Sequence, residues 1–253
     1  MRNRFLVTAI FMLVGESAHA GEACRTAKDI VNLAQIFYGA EPDLKDIITP
    51  SVMMRLKGIN GAANPTALLY RYKGEEHRLA ILENMVVGLE KAADWSKDGE
   101  MCRMVDGALA PMTEGDSTRA SVGFSFAYNR TDGLFPIEDL KEGAKDGSKI
   151  MKGLAPGGLG FVVPKLKAIS LSPAEGMEQK PAYEFTQKGQ TVTVNASPIG
   201  NTTLIRLKDI KASKADMLRI SGAYRLEATF KFDPEDIATA EAKRLLEQTD
   251  SEN

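Results

Sequence analysis

The chain has 253 residues, 43% of them hydrophobic, with 32 Lys and Arg against 34 Asp and Glu and a formal net charge of −2. That balance offers no bulk attraction for a nucleic acid. The length suits one large domain or two small ones.

Arg2 and Arg4 open the chain, and an apolar run follows over residues 5–14. The run matches a signal h-region and is too short to cross a hydrocarbon core of roughly 30 Å as a helix. Ala18-His19-Ala20 then gives the small-x-small pattern that signal peptidase cuts after. Residues 1–20 therefore read as a cleaved secretory signal peptide. A buried N-terminal helix, the competing reading, does not account for charge, short run and cleavage pattern in that order. The expected compartment is the periplasm, with secretion to the extracellular space as the alternative. Lipid attachment at Cys24 lacks the Leu-like residue three positions earlier, where Gly21 stands. No later uncharged apolar run approaches 18 residues, so the mature chain is expected not to span a membrane.

Cleavage after Ala20 removes Arg2, Arg4, Glu16 and His19. One histidine remains, His77, with two cysteines, Cys24 and Cys102. In an oxidising compartment the pair predicts a Cys24–Cys102 disulfide. Closing a loop of about 80 residues stabilises by roughly 4–5 kcal/mol in the chain-entropy model. The absence of a CxxC motif argues against a thioredoxin-like role.

From Arg25 to Tyr38, Ile30, Leu33, Ala34, Phe37 and Tyr38 share one helical face, and Gly39 ends the run. Thr49-Pro50 and Asn64-Pro65 each pair a capping side chain with a proline at a first helical position. They predict helices from residue 50 to about 58 and from 65 to 95. In the latter, Leu68, Tyr72, Leu79, Leu82, Val86, Leu89 and Ala93 form a stripe that reads as a core face, with a kink or break at Lys73–Glu75.

Beyond residue 100 the period changes. Val122, Phe124, Phe126 and Tyr128 alternate as a strand does. Pro136 opens a helix to about 151, with Ile137, Leu140, Ala144, Ile150 and Met151 on one face. Gly143 and Gly147 would let another element approach it closely. Strands are predicted over 159–171, 182–187, 190–196, 202–211 and 217–232, with a tight hairpin at Lys188-Gly189. Asp233-Pro234 starts a closing helix.

The expected fold class is α+β: an N-terminal helical layer packed with a mostly antiparallel β-sheet, and a C-terminal helix. The expected domains are the signal peptide (1–20), a helical subdomain (21–98) and an α+β subdomain with the sheet (99–253), the last two allowing one continuous domain.

Signatures of catalysis are sparse. One histidine and a bonded cysteine pair leave no common zinc site. His77, in Glu75-Glu76-His77-Arg78, reads as a solvated surface residue with no nucleophile turn to serve. The Gly-rich segment 153–160 lacks the Lys-Ser/Thr ending of a phosphate loop and reads as a mobile connection. No catalytic residue, metal or cofactor is assigned. The expected function is a non-enzymatic exported protein binding a protein partner or an apolar small molecule in the cell envelope. For the small molecule, Phe124, Phe126, Phe230 and Phe232 are the candidate ligand-facing residues under the Gly-rich cover, and a packed core explains the same residues. The alternatives are a hydrolase using carboxylates alone and a passive structural or assembly subunit.

Overall fold

A computed structural model describes residues 23–59, 61–83, 85–111, 117–154 and 165–230. The predicted signal peptide and closing helix lie outside these residues, as does the Gly-rich segment beyond Leu154. The chain divides into two compact units, Met1–Pro42 with Pro50–Ser125 and Asp43–Thr49 with Phe126–Asn253.

The first unit begins with strand β1 (Cys24–Thr26) and helix α1 (Lys28–Tyr38). The helix buries Val31, Leu33, Ala34 and Phe37, and the Gly39 N–H closes it by donating to the Gln35 carbonyl. It starts three residues later than the hydrophobic spacing suggests because Cys24–Thr26 pair with another strand. Then come β2 (Ile48–Ile59), β3 (Ala67–Tyr72), β4 (Glu75–Leu82), β5 (Met85–Val86), a 3₁₀ turn (Leu89–Asp94), β6 (Glu100–Val105), β7 (Ala108–Leu109) and β8 (Ser117–Tyr128), with Ile48–Thr49 of β2 and Phe126–Tyr128 of β8 counted in the second unit. The strand order is β1-β6-β3-β4-β5-β2, with β7 on β6.

The expected helical layer is thus overturned: α1 apart, the described region up to residue 95 is antiparallel sheet with two 3₁₀ turns, Pro42–Lys45 and Leu89–Asp94. After Thr49-Pro50 the burial alternates. Pro50, Val52, Met54 and Leu56 are buried, while Ser51, Met53 and Arg55 are less so, which is the period of a strand. After Asn64-Pro65 the supposed helical stripe is divided among β3, β4, β5 and the turn. The anticipated break is a two-residue hairpin. Lys73 (φ 48°) and Gly74 (φ 87°) both take positive φ, the conformation that matches strand twist. Leu68 and Leu79, eleven residues apart, sit directly opposite one another across that hairpin.

The second unit holds β9 (Leu134–Pro136), α2 (Ile137–Lys152), β10 (Leu166–Pro173), β11 (Ala182–Gln187), β12 (Gln190–Val192), β13 (Ala196–Ile199), β14 (Thr202–Arg206), α3 (Leu207–Ser213), β15 (Met217–Ser221) and β16 (Tyr224–Phe230). One run of strands is β16-β10-β14-β13, and another sheet is β12-β11-β15-β9. Helix α2 spans the expected residues and buries Ile137, Leu140, Ala144, Ile150 and Met151. Its glycines are contact points. A Cβ on Gly147 would lie 2.6 Å from Leu166 Cδ1 and 3.0 Å from Phe126, and one on Gly143 would lie 2.6 Å from Tyr128. The Tyr128 hydroxyl donates to the Leu140 carbonyl at 2.6 Å. Burial pushes that phenol well above the usual tyrosine range.

Three predicted strands end early or divide. The segment 190–196 stops at Val192. The segment 202–211 turns helical at Leu207, where Asp209 pairs with Arg206 at 2.6 Å and favours the first turn. The segment 217–232 divides at Gly222–Ala223, because β15 pairs with β11 and β9 while β16 pairs with β10.

Candidate binding surface

Residues directly opposite in an antiparallel pair share a face, so the registers of the first unit sort its side chains. One face is core: Tyr70 and Leu79 lie there with Ile81, Val86, Val52, Met54 and Leu56, all buried. The opposite face carries three rows. Ala80, Ala67, Met104 and Leu109 are in register across β4, β3, β6 and β7. Arg78, Leu69, Cys102 and Cys24 form the next row, and Glu76, Arg71 and Glu100 the third. On the other flank, Leu82 is opposite Met85, and Met85 is opposite Arg55.

The centre of this face is a small apolar cluster of Ala67, Leu69, Cys102 and Met104, with Cys24 packed against it. Around it the surface is open. Leu82 is 61% exposed and Leu109 39%, Ala80 and Arg78 are exposed, and Met85 is half-buried. Arg71 pairs with Glu76 at 2.8 Å. Arg55 and Arg78 make no ion pair among the described residues, and the Arg55 Nε is buried without an acceptor.

The disulfide Cys24–Cys102 is present and links directly opposed residues of β1 and β6 across 78 positions. Its sulfurs lie near the Glu100 carboxylate. Bonded to each other, they are not available as metal ligands.

His77 is exposed as anticipated, but it stands on a strand and not on a helix. Its ring stacks on Trp95 at 5.3 Å, and Trp95 stacks on Tyr70 at 4.3 Å. The Tyr70 hydroxyl fixes this shelf: it donates to the Ser96 carbonyl and accepts from the Ser96 N–H. The polar neighbour of His77 is Glu75, at 3.8 Å. Beside the hairpin lies an open groove of about 390 Å³, where Arg71 and Lys73 alternate with Glu75, Glu76, Asp98 and Glu100. All four carboxylates are exposed. A general acid usually draws on a water-poor setting, and this groove has none.

Three of the four phenylalanines singled out from the sequence fall among the described residues. Phe124 belongs to the first unit and stacks on Phe37 at 4.9 Å. Phe126 and Phe230 belong to the second unit, 1% and 8% exposed, with Phe126 against Gly147. Phe232 lies outside the described residues.

Sequence reasoning passes over Arg55, Arg78, Met85 and Leu109, and places Leu82 in a core stripe. A signal for Leu82 is present: in Arg78-Leu79-Ala80-Ile81-Leu82, a period of two puts Leu79 and Ile81 inward and Leu82 outward. Arg55 has no such local signal, because it reaches this face only through its pairing with Met85.

No known protein family, curated protein or solved structure matches this chain. Among the described residues, no helix is long and apolar enough to cross a membrane.

Proposed function

We propose that this is an exported, non-enzymatic binding protein that holds a polypeptide partner on the outward face of the first unit's sheet. The observation that carries the reading is the exposed apolar surface of Leu82, Ala80 and Met85 beside the Ala67–Leu69–Met104 cluster. A large apolar side chain left mostly in water, on a face whose neighbours are also apolar, suits an interface. The Cys24–Cys102 bond fits the oxidising compartment implied by the signal pattern of residues 1–20.

The test is site-specific photo-crosslinking in the export compartment, with the crosslinker at position 82 or at position 183. Tyr183 is an exposed aromatic of the second unit and serves as the control. A discrete adduct from position 82 that is absent from position 183 is expected. Identical patterns from both positions would discard the surface. Native mass spectrometry of the same material should show a chain starting at Gly21, about 2 Da lighter than the reduced mass as one disulfide requires; a retained small molecule would favour the apolar-ligand reading instead.

A further inference from the structure

We infer that the partner presents an acidic amphipathic helix, whose apolar stripe covers Leu82 and Met85 and whose carboxylates meet Arg55 and Arg78. This rests on the reading of that face as the binding surface.

The charge balance points to an acid. The chain as a whole is net negative, yet this face is locally basic. Arg55, Lys57, Arg71 and Arg78 project outward from β2, β3 and β4, against the carboxylates Glu76 and Glu100. Arg71 is committed to Glu76. Arg55 and Arg78 are uncommitted among the described residues, and the Arg55 Nε is shielded from water with nothing to donate to. A buried donor of this kind is favoured by an incoming acceptor, and an anionic acceptor most of all.

The backbone points to a helix. Strands β2 to β6 each lie between two neighbours in the strand order, with β5 pairing β4 at Ile81 and Leu82 and β2 at Arg55. A partner lying flat on their face meets side chains and not the ladder, and it must satisfy its own amides, as a helix does. The spacing is compatible. Arg78 is four residues from Leu82 along β4, about 13 Å, and Arg55 is two strands across from Leu82, about 10 Å. The diagonal of about 16 Å matches about three helical turns. Carboxylates three turns apart, flanking leucine-like side chains, would reach both arginines at once.

The experiment uses the full mature protein and three synthetic amphipathic helices of about 18 residues. They share one leucine stripe and carry Glu, Gln or Lys at the flanking positions. Affinity is read by fluorescence anisotropy at low salt and at about 0.3 M salt. The Glu peptide is expected to bind about tenfold more tightly than the Lys peptide, with the gap closing at high salt. Arg55→Gln with Arg78→Gln should erase the gap between the Glu and Lys peptides. Circular dichroism and the intact disulfide mass confirm that the variants are folded. Equal binding of all three peptides, weakened throughout by Leu82→Ser, would overturn the acidic preference while sparing the surface. Failure of all three to bind, or binding indifferent to Leu82→Ser, would overturn both. A dimer in sedimentation that Leu82→Ser dissolves would make a second copy the occupant and end the acidic-partner inference.

Discussion

Two stretches, residues 65–95 in the first unit and 136–152 in the other, share one sequence pattern. Each follows a proline and repeats apolar side chains every three or four positions, yet one folds as a hairpin and a turn and the other as a helix. The difference lies in what the intervening residues can do. In α2 the remaining positions include glycines that meet Phe126 and Leu166, and the apolar face stays on one side for four turns. In 65–95 the stripe is interrupted by Lys73-Gly74, and the residues between its members are themselves buried: Leu69, Tyr70 and Ile81. A strand whose residues are buried in succession, as Ala67 to Tyr70 of β3 are, erases alternation and leaves a continuous apolar run that suits either structure.

The comparison can be broken most forcefully at the disulfide, the covalent element of the first unit. Cys24→Ser with Cys102→Ser should cost about 2–4 kcal/mol, measured by denaturant unfolding. Loss of hydrogen-exchange protection should concentrate in β1, β6 and β3, with β10 and β16 holding theirs. Uniform loss in both units would mean that the bond does not serve the first unit in particular.

The glycines test the two folds with opposite logic. Gly147→Ala in α2 improves helix propensity by up to about 1 kcal/mol but forces a Cβ to 2.6 Å from Leu166. Crowding of that kind typically costs about 1–3 kcal/mol, so a net loss of about 1 kcal/mol is expected. Gly74→Ala meets nothing within 4 Å, and its cost is the backbone alone, at φ 87°. On a hairpin it should destabilise by up to about 1 kcal/mol; on a helix the same change would stabilise by a similar amount. The sign of one measurement thus separates the two readings of 65–95.

What was legible in the sequence divides along the same line. Helices α1 and α2, the Lys188-Gly189 hairpin, the alternation Leu226-Ala228-Phe230 and the Cys24–Cys102 bond could all be read from local pattern or from counting. The sheet from 48 to 86 could not, because Thr49-Pro50 and Asn64-Pro65 carry real helix-start chemistry that non-local pairing overrides. The candidate surface was less legible still. Its members come from β2, β4, β5 and β7, and only the registers Arg55↔Met85, Met85↔Leu82 and Met104↔Leu109 place them on one face. No local period encodes a register between strands that are distant in the chain.

The smallest expected effect sharpens the comparison through pH. Each unit holds a tyrosine whose ionisation burial opposes: Tyr38 in the first, hydrogen-bonded to both the N–H and the carbonyl of Val52, and Tyr128 in the second, donating to Leu140. Both are raised chiefly by desolvation, so the folded state keeps the phenol neutral while the unfolded chain ionises near pH 10. The sign follows from linkage. Their contribution is fully present below about pH 10 and is lost as pH rises above it, because only the unfolded state then gives up a proton. Tyr128→Phe removes one hydrogen bond and should cost about 1 kcal/mol or less at neutral pH. It should also flatten the fall of stability between about pH 10 and 11.5, since Phe has no proton to lose. Tyr38 is less buried than Tyr128 and its hydroxyl keeps two backbone partners, so Tyr38→Phe should flatten the same limb less. Denaturation midpoints across that range decide the matter. An unchanged alkaline slope in Tyr128→Phe would show that its phenol ionises in the folded state, and that the α2 packing around Gly143 and Leu140 is looser than the contacts require.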